Sequence, residues 1–145
     1  MNVSFSSTSL DVVEELVAIR IAAMQESLER IGRFSPERAR ERLVSTFQPE
    51  FTHFILLEGQ KVGFLAIKPD NGGLLLDHLY VLPDHQGNGI GSWVLAQVIS
   101  EADQRNASIK VGALKESEAN RFYLAHGFTM TEEGEWDIYY QRSSR

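Results

Sequence analysis

Between Leu74 and Gly91 the chain has few ways to fold. Leu74 to Leu82 is almost continuously apolar, interrupted by Asp77 and His78, which suits a central strand buried on both faces; it runs through Pro83 into Gly87, Gly89 and Gly91. Beyond the loop, Ile90, Val94, Leu95, Val98, Ile99 and Ala102 recur at helical spacing, and Ile109 to Ala113 reads as the next strand. A strand that turns through glycine into a helix brings successive backbone N–H groups to one spot and adds the positive end of the helix dipole. Such a spot suits a phosphate or a diphosphate. The same glycines equally permit a tight strand-to-helix turn that holds no ligand, so the loop by itself leaves both readings open.

Two other phosphate-binding patterns fit less well. A dinucleotide loop of the form G-x-G-x-x-G needs glycine at position 92, where the chain has Ser92, and should open the fold rather than sit this late in it. The G-x-x-x-x-G-K-[ST] loop needs a lysine that does not follow these glycines.

The remaining elements frame this unit. Val3 and Phe5 suggest a short opening strand, and Thr8 with Asp11 makes a capping-box pattern ahead of a first helix. In that helix Leu10, Val13, Leu16, Val17, Ile21 and Met24 form the packed stripe, with Glu14, Glu15, Arg20 and Glu26 towards water. Glu29 to Phe34 reads as a loop, Ser35-Pro36 as the start of a second helix to about Phe47, and Gln48-Pro49 as its end. Phe51 to Leu57 and Lys61 to Ile67 pair as a hairpin, followed by a turn over Pro69 to Gly73. Glu116 to His126 predicts a short helix stopped by Gly127, and Thr129–Glu133 with Glu135–Gln141 a closing hairpin around Gly134.

At 145 residues, with 43% hydrophobic and 23% charged residues, the chain predicts a single folded domain over residues 1–145. The absence of cysteine excludes disulfides, thiolate metal sites and an acyl-cysteine intermediate, and suits a reducing compartment. A net charge of −6 with no Lys/Arg stripe argues against nucleic acid as a partner. The start of the chain lacks a signal-peptide pattern and no apolar stretch is long enough to span a bilayer, so a cytoplasmic location away from membranes is expected. The histidines are too widely separated for a metal-ligand spacing, and no metal is expected.

Gln86, Gly89 and Gly91, following Val81-Leu82-Pro83, resemble the CoA loop Gln/Arg-x-x-Gly-x-Gly/Ala of the GCN5-related N-acetyltransferase (GNAT) family. The stretch Ala119-Asn120-Arg121-Phe122-Tyr123-Leu124-Ala125-His126-Gly127-Phe128 resembles that family's aromatic-Tyr and Gly-Phe element. The specific motifs lie between Leu79 and Phe128, and the order of elements is similar across nearly the whole chain. The resemblance implies an α/β (mixed α+β) fold, with a mixed, mostly antiparallel twisted sheet of about six or seven strands and about four helices. It also implies acetyl-CoA as cosubstrate. The backbone of Leu79, Tyr80 and Val81 would pair with the pantetheine arm, and amides of Gln86, Gly87, Asn88, Gly89, Ile90, Gly91 and Ser92 would hold the pyrophosphate. Gly89→Val should then act through sterics and lost amide approach. Two positions depart from the family: neutral His85 and Gln86 stand where many relatives carry arginine, and Glu116 takes the place of a frequent pantetheine-binding asparagine, a role Asn120 would assume.

Amide formation from a thioester needs a neutral amine, a polarised carbonyl and a stabilised thiolate. Without cysteine, direct attack in a ternary complex is expected, with an N–H near Leu79 on the carbonyl and Tyr123 at the leaving sulfur. Because a tyrosine holds its proton more tightly than a thiol, full donation is uphill by about 2 kcal/mol, and a hydrogen bond can suffice. Asp77, with the strand parity of Leu75, Leu79 and Val81, is the candidate base; it is either solvated in a cleft or held in a structural ion pair, and ordered water is the alternative proton carrier. His78 reads as a core histidine, His53 and His126 as ordinary strand and helix residues, and Phe122 and Phe128 as core. By resemblance the acceptor, a small-molecule or peptide amine, sits near Glu29 to Phe34 and Trp136 to Tyr140; Trp136, Tyr139 and Tyr140 either line it or pack, and Glu29 or Glu135 either meets a cationic acceptor or is solvated. The alternatives are a non-catalytic acyl-CoA-binding sensor or subunit with the same fold, and a plain interaction domain. A homodimer through the terminal hairpin is also compatible.

Overall fold

The computed structural model describes residues 1–144. In chain order the elements are β1 (Val3–Ser7), α1 (Val13–Arg30), α2 (Pro36–Thr46), β2 (Thr52–Leu57), β3 (Gln60–Asp70), β4 (Gly73–Val81), α3 (Ile90–Gln104), β5 (Ile109–Leu114), α4 (Ala119–Ala125), β6 (Thr129–Glu133) and β7 (Asp137–Arg142). Short 3-10 turns occupy Leu10–Val12, Pro49–Phe51 and Pro83–His85. The strands are hydrogen-bonded in the order β1-β2-β3-β4-β5-β7-β6. Pairing is antiparallel at β1–β2, β2–β3, β5–β7 and β6–β7, and parallel at β4–β5. The expected mixed, mostly antiparallel sheet with four helices is present. No helix is long and apolar enough to cross a membrane among the described residues.

The chain divides into two compact units, one of Met1–Ala66 with His78–Val94, the other of Ile67–Asp77 with the chain from Leu95 onward. In the first unit α1 and α2 pack Leu16, Val17, Ile19 and Leu43 against Phe54 of β2 and Phe64 of β3, with Tyr80 and Leu82 partly buried against the same cluster. Ser35 caps α2 by accepting the Arg38 N–H at 3.3 Å, with Pro36 at the first helical position, as the sequence predicts. The second unit buries Leu74, Leu76, Leu95, Val98, Ile109, Val111, Tyr123, Phe128 and Tyr140. There β4 pairs with β5 over Leu74–Leu76 and Ile109–Val111.

Several local expectations are corrected. Thr8 does not close a capping box; its hydroxyl donates to the carbonyls of Pro49 and Thr52, while Ser9 bonds Asp11. The 3-10 turn at Leu10–Val12 shifts the helical phase, so Leu10 lies 75% exposed and Ile19 takes its share of the stripe. Arg20, read as water-facing, is buried. The first helix continues through Glu29 and Arg30, and β3 continues through Pro69 and Asp70, leaving Asn71–Gly72 as the turn. The fourth helix starts at Ala119 rather than Glu116, because Glu116 has a φ of 65°, outside any helix.

Candidate functional site

The loop after β4 belongs to the first unit. Its entry is fixed by Leu82 N–H donating to the Val62 carbonyl at 2.8 Å, and by the 3-10 turn that closes with His85 N–H on the Leu82 carbonyl at 2.9 Å. The Gln86 side chain reaches back to donate Nε2–H to the Val81 carbonyl at 2.8 Å, tying the loop to the end of the strand. Gly87 and Gly89 then take φ values of 80° and 83°, the left-handed region that favours glycine. Trp93 N–H donates to the Gly89 carbonyl at 3.0 Å as the first bond of α3, so the upstream amides through Ser92 stand outside the helical ladder. Gln86 to Gly89 are exposed and carry no positive side chain. A Cβ added at Gly87 or Gly89 would meet no protein atom within 4 Å, so the cost of Gly89→Val within the protein comes from its φ, and its steric cost falls on a ligand in the loop. Neutral amides and a helix dipole are thus offered to an anion, without a cation in the loop.

Sequence reasoning missed the close approach behind this strand. At Gly63 on β3 an added Cβ would come 2.1 Å from the Tyr80 carbonyl oxygen, so only glycine lets the two backbones meet there. On β4, His78 and Tyr80 turn towards the helical layer of the first unit: Tyr80 Oη accepts from Arg20 Nε at 3.2 Å and lies 3.2 Å from His78 Nδ1. His78 is 3% exposed and its ring is 5.8 Å from Phe64, the core histidine expected. The signal for Arg20 was present in the sequence, since it follows Leu16 by four and Val17 by three residues and so shares their stripe.

In the second unit Asp77 Oδ2 lies 3.5 Å from Lys68 Nζ, with an 8% exposed side chain, so of its two expected settings the ion pair is the one observed. Tyr123 on α4 is 5% exposed, with ring centroids of Phe122, Phe128 and Tyr140 at 5.3, 5.5 and 6.3 Å. Asn120 donates Nδ2–H to the carbonyls of Leu114 at 2.9 Å and Ser117 at 3.0 Å, and accepts the Tyr140 hydroxyl at 2.7 Å. Its amide is therefore spent on clamping α4 to β5 and β7. Tyr140 is buried in this network, which raises its phenol above the ordinary value through desolvation. Tyr139 and Trp136 stay more than a third exposed, and Tyr139 covers Gly112 and Gly134.

A family model described as an acetyltransferase (GNAT) domain matches residues 49–130, more than half of the chain and inclusive of both motifs. No curated protein sequence matches. Among solved structures, the PaiA N-acetyltransferase of Thermoplasma acidophilum, in complex with coenzyme A, superposes with a TM-score of 0.79 at 15% identity, covering 99% of each chain. An acetyltransferase from Thermus thermophilus gives 0.77 at 19% identity over 99% of this chain and 97% of that one. The ribosomal-protein-S18-alanine N-acetyltransferase of Escherichia coli gives 0.70 at 18% identity over 99% and 96%. At such identities the likeness is one of fold.

Proposed function

The chain belongs to the acetyltransferase (GNAT) family, and on that premise we propose that it transfers the acetyl group of acetyl-CoA to the amine of an acceptor, as one domain of residues 1–145. The observation that carries the proposal is the loop itself: two left-handed glycines, Gly87 and Gly89, and a helix start whose first amides lie outside the ladder, within the matched stretch. The PaiA relative in complex with coenzyme A supports the same cosubstrate. The Gln86 N–H already donates to the Pro83 carbonyl at 3.2 Å, so the amides of Gly87 to Ser92 are assigned to the pyrophosphate, and the backbone of Leu79 to Val81 to the pantetheine arm.

In the proposed reaction the acceptor nitrogen attacks the thioester carbon directly, the carbon–sulfur bond breaks, and the nitrogen gives up one proton. Tyr123 is assigned to the departing thiolate on its place in the motif, as a hydrogen-bond donor. Asp77 is the candidate for the amine proton; its pair with Lys68 supports a structural role as the competing account. Asn120, already committed to Leu114, Ser117 and Tyr140, keeps only the remaining lone pair of its Oδ1 for a pantetheine amide.

Isothermal calorimetry with acetyl-CoA, run on the wild type and on Gly89→Val, tests the reading at its base. Binding by the wild type, weakened at least about tenfold in the variant by strained φ and lost amide approach, is expected. A wild-type protein that does not bind acetyl-CoA sinks the proposal. Binding without thiol release over a broad amine panel assigns the chain to an acyl-CoA sensor.

A further inference from the structure

Arg20 of α1 is 9% exposed, and no carboxylate pairs with it among the described residues. Its hydrogen bonds go to neutral acceptors: Nη1 donates to the Ala39 carbonyl on α2 at 2.8 Å and Nε to the Tyr80 hydroxyl at 3.2 Å, with the guanidinium carbon 5.8 Å from the Tyr80 ring centroid. A guanidinium carries five N–H donors. These bonds leave both hydrogens of Nη2 and one of Nη1 as donors that a carboxylate can accept from. The other buried arginine among the described residues shows the ordinary solution: Arg142 holds both oxygens of Asp103, at 2.9 and 3.3 Å. A cation held largely out of water without a counter-ion is costly, and an anionic ligand that reaches its open Nη2 offsets that cost.

Arg20 also touches the strand that leads into the loop. Tyr80, which accepts its Nε–H, precedes Val81, whose carbonyl anchors Gln86. From this arrangement we infer that Arg20 anchors a carboxylate of the acceptor, which makes the acceptor a small amino carboxylate; the inference rests on the acetyl transfer proposed above.

The test measures thiol release with matched pairs that differ by one carboxylate: phenylalanine and phenethylamine, arginine and agmatine, lysine and cadaverine. Wild-type kcat/KM favours the carboxylate member in at least one pair, and Arg20→Gln lowers kcat/KM for that member by about 30-fold more than for its decarboxylated counterpart. Equal turnover of both members, or an equal loss for both in the variant, overturns the inference and leaves Arg20 as the brace between α1, α2 and β4. So does a variant whose main defect is a weaker acetyl-CoA Kd, and so does the failure of every carboxylate member both to turn over and to bind in calorimetry. If Arg20→Gln does not fold, Arg20→Lys and the wild-type ratios within each pair decide. Calorimetry with acetyl-CoA alone reports separately on the cosubstrate reading.

Discussion

At Tyr123 the chemistry comes down to one hydroxyl. The ring is packed by Phe122, Phe128 and Tyr140, so Tyr123→Phe keeps that packing and removes the hydroxyl proposed for the thiolate. The expected result is a kcat lower by about tenfold to a hundredfold with the acetyl-CoA Kd unchanged, read by steady-state kinetics beside calorimetry. Asp77→Asn separates two roles by a different measurement. It leaves Lys68 without its counter-charge and should cost about 1–2 kcal/mol in urea unfolding. Loss of the acidic limb of the kcat/KM–pH profile identifies the base, whereas a stability loss with an unaltered profile assigns Asp77 to the ion pair alone. His78 and Tyr80 have the opposite strand parity to Asp77 and face Arg20 and Phe64, a division that alternation along β4 makes readable and that the partners then confirm.

At the scale of elements, α4 is short, and its neighbours hold it in place. Its last turn closes through Gly127, at a φ of 87°, with Phe128 N–H returning to the Tyr123 carbonyl at 3.1 Å. Its first turn is held by Asn120 and the Tyr140 hydroxyl of β7. Because burial raises the Tyr140 phenol in the folded state, the unfolded chain ionises first as pH rises. The stabilisation is fully present below the ordinary phenol value of about 10 and is lost as pH climbs through the folded value. Urea unfolding on either side of that value should show the loss. Tyr140→Phe should remove its share of the alkaline slope and cost about 1 kcal/mol for the bond to Asn120. Helix α1 shows how a cap misleads: the Thr8–Asp11 spacing is right for a capping box, but the Thr8 hydroxyl finds carbonyls 41 and 44 residues away.

For the whole molecule, charge sets an expectation opposite to that for a phosphate site built on arginine. The protein carries −6, no Lys or Arg occurs between Lys68 and Arg105, and the proposed cosubstrate is itself anionic. Raising salt from about 0.01 M to about 0.1 M shortens the screening length from about 30 to about 10 Å, so acetyl-CoA association should quicken or hold steady. Stopped-flow rates that fall with salt would point to cationic contacts instead. By itself the sequence determined the strand, the glycine loop and the helix after it, the Ser35 cap and the hairpin turns. Each depends on local φ/ψ preference and on a residue's own tendency to face water or core, and both are written in neighbouring residues. Only the tertiary structure placed β7 between β5 and β6, spent the Asn120 amide on a clamp and paired Asp77 with Lys68. It also buried Arg20 against a tyrosine 60 residues away. Periodicity says which face a side chain takes, whereas the partner that makes a buried polar group tolerable comes from a distant part of the chain and is fixed only when the elements pack.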